Sequence, residues 1–145
     1  MKDIHAIADA VAVELDGIAT LSEEPAIERA FRPENERAQL GVLTLSVVPA
    51  SVARTYEARG VLRFDYNIEI GVQRALDEGD EESQVSRFAT DARKIADFLD
   101  GLRPTAAPEV VCVEVEIDPV ADRDHLSNLR TFTSVVKARF RGFNT

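Results

Sequence analysis

Tryptophan is absent from these 145 residues, and cysteine and methionine occur once each. Cys112 therefore has no partner for an intrachain disulfide and no neighbour for a CxxC zinc or redox motif, which suits a reducing, intracellular compartment. Cations are outnumbered, 17 Lys and Arg against 26 Asp and Glu, and the net charge of −9 excludes a surface that grips nucleic acid all over, because phosphate binding runs on Lys and Arg. No apolar run reaches the roughly 18 residues of a membrane span. The first twenty residues show helical spacing interrupted by Asp3, Asp9, Glu14 and Asp16 rather than the basic start and apolar stretch of a secretory signal, so the chain is expected to be soluble and to stay where it is made. Glycine and proline are sparse, and 45% hydrophobic with 30% charged residues describes a globular protein. One domain over residues 1–145 is expected, and a chain of this size buries about two-thirds of its unfolded surface without staples.

The short signatures of common enzymes are missing too. There is no GxxxxGK phosphate loop, no GxGxxG, no HExxH and no GxSxG. This argues against an enzyme, and no cofactor is expected. The acidic run Asp77 to Glu82 lacks the alternating ligands of an EF-hand, so capping and solvation of a following helix explain it better.

Hydrophobic periodicity supplies the architecture. Ile4, Ile7, Ala8, Val11, Leu15 and Ile18 recur in steps of three and four, the stripe of a helix ending near Gly17. Ala26 to Phe31 reads as a short strand, Arg32-Pro33-Glu34-Asn35 as a turn, and Leu43, Leu45 and Val47 as a second strand stopping at Pro49. From Val61 to Arg74, Leu62, Phe64, Tyr66, Ile68, Ile70 and Val72 alternate with polar residues, which predicts an antiparallel strand with one buried and one wetted face. At about 3.3 Å per residue it spans on the order of 40 Å, so it either continues into a projecting hairpin or pairs with another subunit.

Asp80 caps a second amphipathic helix, carried by Val85, Phe88, Ala89, Ala92, Ile95, Ala96, Leu99 and Leu102 and ended by Gly101 and Pro104. Val111, Val113, Val115 and Ile117 form a strand with Glu114 and Glu116 on its other face. After an irregular stretch from Asp118 to Asn128, a last strand runs from Thr131 to Arg141. The order α-β-β-β-α-β-β, with two one-sided helices and a mainly antiparallel sheet, predicts an α+β two-layer sandwich.

Three places carry residue types that do chemistry. Asp118, Asp122, Asp124 and His125 crowd one loop, with Ser127 nearby, and offer ligands for a divalent metal or parts of a hydrolytic triad. Neighbours in one charged loop rarely take up such fixed roles, so a partner contact through Asp122, Arg123 and Asp124 is the preferred account. Glu114 and Glu116 lie roughly 7 Å apart on one strand face, but such pairs are ordinary on a wetted face. His5, at the start of the first helix, reads as a surface residue. The stretch Pro49 to Gly60 is an unusually long connection between two strands and carries Arg54, Tyr56 and Arg59, types favoured at binding hot spots. It is read as a partner-binding loop, with simple mobility the alternative.

The order of elements resembles the tail terminator and related neck, or tail completion, proteins of long-tailed bacteriophages and phage-derived particles. The resemblance is carried by the opening helix, the strand Leu43-Thr44-Leu45-Ser46-Val47-Val48-Pro49 and the Arg-containing loop. The long strand from Leu62 to Val72, the acid-capped helix and the two closing strands complete it. It implies a structural virion protein without cofactor, a homo-oligomer in a hexameric ring. Such a ring caps the tail tube, stops its polymerisation and joins the head connector or stopper protein. It implies a place in the tail or neck, assembly in the host bacterial cytoplasm, no membrane, and DNA only as passing cargo. Glu69, Glu114 and Glu116 would line that channel, or else face outward and serve solubility. A head-side neck protein of the same fold is the near alternative. An acidic secretion chaperone binding an effector segment is the distant one, although such chaperones usually finish with a helix where Thr131 to Arg141 reads as a strand.

Overall fold

In the computed structural model, which describes residues 2–31 and 41–144, Asp3 starts the first helix by accepting a hydrogen bond from the His5 amide at 3.0 Å. This helix, α1, spans Ile4–Leu15 and ends slightly before the expected Gly17; Ile7, Ala8, Val11 and Leu15 are fully buried. Strand β1, Ala26–Arg29, pairs in parallel with β2, Thr44–Tyr56, and every other pairing in the sheet is antiparallel. The turn expected at Arg32 to Asn35 lies outside the described residues.

Strand β2 does not stop at Pro49. It continues to Tyr56 against β3, Leu62–Ala75, with a register shift between Pro49 and Ser51. Proline is tolerated because β1 pairs only as far as Val47 and the bulge absorbs the local disruption. The stretch expected as a twelve-residue loop is thus mostly strand, and the overlong β3 resolves into a projecting hairpin. Its turn, Ala58–Gly60, places Arg59 at φ 66° and Gly60 at φ 77°, a left-handed conformation that glycine adopts without a Cβ penalty. The Glu57 amide closes the turn on the Val61 carbonyl at 2.7 Å.

Helix α2, Glu81–Leu99, begins at Asp80, whose carboxylate accepts from the Ser83 amide, with Glu81 and Glu82 at the positive end of the helix dipole. Strands β4, Val111–Ile117, and β5, Thr131–Asn144, complete a five-stranded sheet in the order β1-β2-β3-β5-β4. Helix α1 packs on β1 and β2, and α2 packs on β5 and β4. Between helices and sheet lie Tyr66, Ile68, Ile70, Val72, Phe132 and Phe140, with the Phe88 and Phe132 ring centroids 5.9 Å apart. The α+β sandwich with a mainly antiparallel sheet is as expected, β1 with β2 being the parallel pair.

Two further expectations change. The stretch Asp118 to Asn128 contains a helix, α3, Arg123–Leu129, capped by Asp122 through the His125 amide and stopped by Arg130 at φ 46°. In β4 the register shifts between Cys112 and Glu114, so Cys112 points into the core and Val113 is 41% exposed. Val113 is the bulged residue, whereas Val115 and Ile117 pack against the core as expected. Burial pushes the Cys112 thiol up to about 11, so it behaves as a packed apolar group.

A polar anchor missed by the hydrophobic pattern holds the segment between α1 and β1. Asp91 of α2, 1% exposed, accepts from both the amide and the hydroxyl of Ser22. Beside it Lys94 donates to the Thr20 carbonyl at 2.8 Å, and Glu23 receives Arg74 Nε at 2.9 Å.

Candidate assembly surface

Beyond Pro49 the hairpin of β2 and β3 leaves the helices behind. Thr44 to Val48 are buried, whereas Ser51 to Gly60 are all exposed. Antiparallel register places Val52, Arg54 and Tyr56 opposite Tyr66, Phe64 and Leu62 on the helix side of the sheet. The Arg54 guanidinium sits over the Phe64 ring at 5.8 Å from its centroid. Tyr56 is 78% exposed at the tip. Arg54, Tyr56 and Arg59, expected on a loop, therefore come together at the end of a built arm. Arg54 and Arg59 make no ion pair among the described residues.

The opposite face of the arm is braced by charge. Asp65, only 7% exposed, receives Arg141 Nε at 2.8 Å and lies 3.5 Å from Arg63 Nε, while Arg63 also holds Glu57 at 2.9 Å. The bond to Asp65 raises the Arg141 pKa and keeps that guanidinium charged. The alternation had placed Asp65 on a wetted face. Its burial comes from the two arginines flanking it on β3 and β5, and the facing Arg63-x-Asp65 and Arg139-x-Arg141 pairs were the only signal available.

Farther down, the same outer face forms a groove of about 260 Å³ at the root of the arm, lined by Ser51, Asn67, Glu69, Glu114, Glu116, Lys137 and Arg139 among others. The strand order brings the three candidate channel acids together: Glu69 and Glu116 flank Lys137 from opposite sides, and Asn67 and Glu114 flank Arg139. Arg139 binds Glu114 at 2.9 Å, and Lys137 turns to Asp118 at 3.9 Å. The face is therefore mixed in charge, with Glu69 and Glu116 the acids left without an ion partner among the described residues. Nearer α3 the outer face is closed and polar: Gln73 donates to Thr133 Oγ1 at 3.0 Å, and Thr133 and His125 Nδ1 are 2.6 Å apart.

The loop candidates for metal or catalysis take structural parts. Asp122 caps α3, His125 is engaged by Thr133, and Asp118 faces Lys137. Among the described residues no group of three His, Cys, Asp or Glu side chains is placed to hold a metal ion, and no helix is long and apolar enough to cross a membrane. Asp122, Arg123 and Asp124 sit at the opposite end of the sheet from Arg54, Tyr56 and Arg59. β3 pairs with β5 from Leu62–Asn144 at the arm to Ala75–Thr131 beside α3, a separation of roughly 40 Å along the strands. His5 is at the surface beside Arg29, which bonds its carbonyl and the Asp9 carboxylate.

These features define an α+β sandwich with a protruding arm, the two sets of candidate contact residues lying at opposite ends of one sheet. No protein-family model matches the sequence, and no curated protein matches it.

Proposed function

We propose that this chain is a structural subunit of a tailed phage or phage-derived particle, a tail terminator that forms a ring on the end of the tail tube, stops its growth and joins it to the head connector. The observation that carries the reading is the arm. Paired strands and the ion pairs of Arg63 and Asp65 hold its shape, yet it leaves most of its side chains in water, which serves a subunit that meets neighbours better than one that works alone. The two candidate contact sets lie at opposite ends of the sheet, the disposition required of a subunit placed between a tube below and a connector above. The outer face between the two ends is mixed in charge, Glu69, Glu114 and Glu116 lying among Lys137 and Arg139, which suits contact with another protein subunit.

Deletion of the gene in its native particle tests the assignment. Tail tubes of uncontrolled length and tailless heads are expected by electron microscopy. Tubes of normal length attached to heads would overturn it, and tubes of normal length that never join heads would move the chain to the head-side neck.

A further inference from the structure

The tip of the arm and the groove at its root complement each other. The tip offers two cations, Arg54 and Arg59, without ion partners among the described residues, around the exposed Tyr56, while Glu57 is held by Arg63. The groove offers two carboxylates, Glu69 and Glu116, without ion partners among the described residues, its own cations Lys137 and Arg139 being directed to Asp118 and Glu114. Glu69 and Glu116 stand on strands either side of β5, roughly 10 Å apart across the sheet. Arg54 and Tyr56 project from one side of β2 about 7 Å apart, so a cation and an aromatic enter such a groove together.

The two features cannot meet within one chain. Arg54 and Tyr56 project from the helix side of the sheet whereas the groove lies on its outer face, and Arg59 is eight residues beyond the groove-lining Ser51 along paired strand and turn, about 25 Å of β-structure that does not bend back on itself. Tip and groove are different patches, so their contact is head-to-tail between copies, and such a contact closes into a ring when the rotation permits.

From this we infer that the arm of one copy docks in the outer-face groove of the next, with Arg54 and Arg59 facing Glu69 and Glu116 and Tyr56 inserted between them. The contact deepens the ring reading above and rests on it for the closure of the assembly, but it is read on the purified chain alone.

Sedimentation velocity on three proteins tests it: wild type, a tip variant carrying Arg54→Glu with Arg59→Glu, and a groove variant carrying Glu69→Arg with Glu116→Arg. Each variant should retain the wild-type circular dichroism, because none of the four side chains is in the core. Wild type is expected to self-associate, and each variant alone to associate at least about tenfold more weakly, since like charges then face one another. An equimolar mixture should recover assembly, because the acidic tip fits the basic groove and the basic tip fits the acidic groove. A wild type that stays monomeric, a tip variant that assembles like wild type, or a mixture that stays dissociated would overturn the contact. Unregulated tail length after gene deletion together with a failed mixture would leave the terminator reading standing and remove only this interface; a successful mixture with normal tails would do the reverse.

Discussion

The two halves of β2 are one strand under two regimes. Thr44 to Val48 are buried on both faces, whereas Ser51 to Tyr56 are exposed on both, although the backbone pairing with β3 runs through both halves. In the first half, side-chain packing specifies the register, since a slip by one residue would take Leu45 and Val47 out of the core. In the second, register depends on the turn at Arg59 and Gly60 and on the Arg63–Glu57 pair between β3 and the residue that follows β2. Local stability should therefore fall from root to tip, leaving a structure stiff enough to present Tyr56 and loosely enough anchored to adjust to a partner.

That contrast can be broken most severely in the packed half. Phe88→Ala removes a fully buried ring tilted against Phe132 and is expected to cost about 3–5 kcal/mol, read as a lowered urea midpoint for the whole domain. Asp65→Asn is expected to cost less, about 1–3 kcal/mol, because it leaves Arg63 and Arg141 facing each other without the shared carboxylate. Hydrogen exchange should locate the loss. Amides of Val52 to Leu62 should exchange faster, while those of Leu45 and Ile70 keep their protection. Equal acceleration in both places would show that arm and root unfold as one unit.

The same contrast explains what could be read from the residues alone. Tyr66, Ile68, Ile70 and Val72 were legible because their alternation records a real difference between two environments. Both helix stripes were legible for the same reason. Pro49 misled because proline ends a strand only where its missing N–H is needed, and pairing with β1 had already finished. Helix α3 has seven residues and none buried, so it has no apolar stripe to find. The bulge at Val113 is invisible to a period of two, which exchanged Val113 for Cys112 in the core. Of the candidate site, Arg54, Tyr56 and Arg59 were assigned to a loop and stand on a paired hairpin and its turn. Glu69, Glu114 and Glu116 were placed on wetted faces, but their convergence depends on β5 lying between β3 and β4, a long-range pairing that no local pattern encodes. Gln73 shows the converse, a polar residue that read as wet and is buried, donating to Thr133 Oγ1.

Smaller effects are expected where only the turn is touched. Gly60→Ala puts a Cβ on a residue at φ 77° with no atom within 4 Å to obstruct it, so the cost is conformational alone, about 1 kcal/mol. It should appear as faster exchange confined to the tip. Tyr56→Ala should do least of all to the isolated domain. The ring is 78% exposed, and surface substitutions of this kind stay within about 0.5 kcal/mol. If Tyr56 is an anchor for a neighbouring copy, the same change should nevertheless weaken self-association, because aromatic side chains lose most when truncated in a desolvated contact. Unchanged thermal unfolding with weakened sedimentation would separate the two roles of the strand: burial at the root maintains the fold, and exposure at the tip is kept for recognition. Unchanged sedimentation would place the anchor elsewhere on the arm, with Arg54 and Arg59 acting without it.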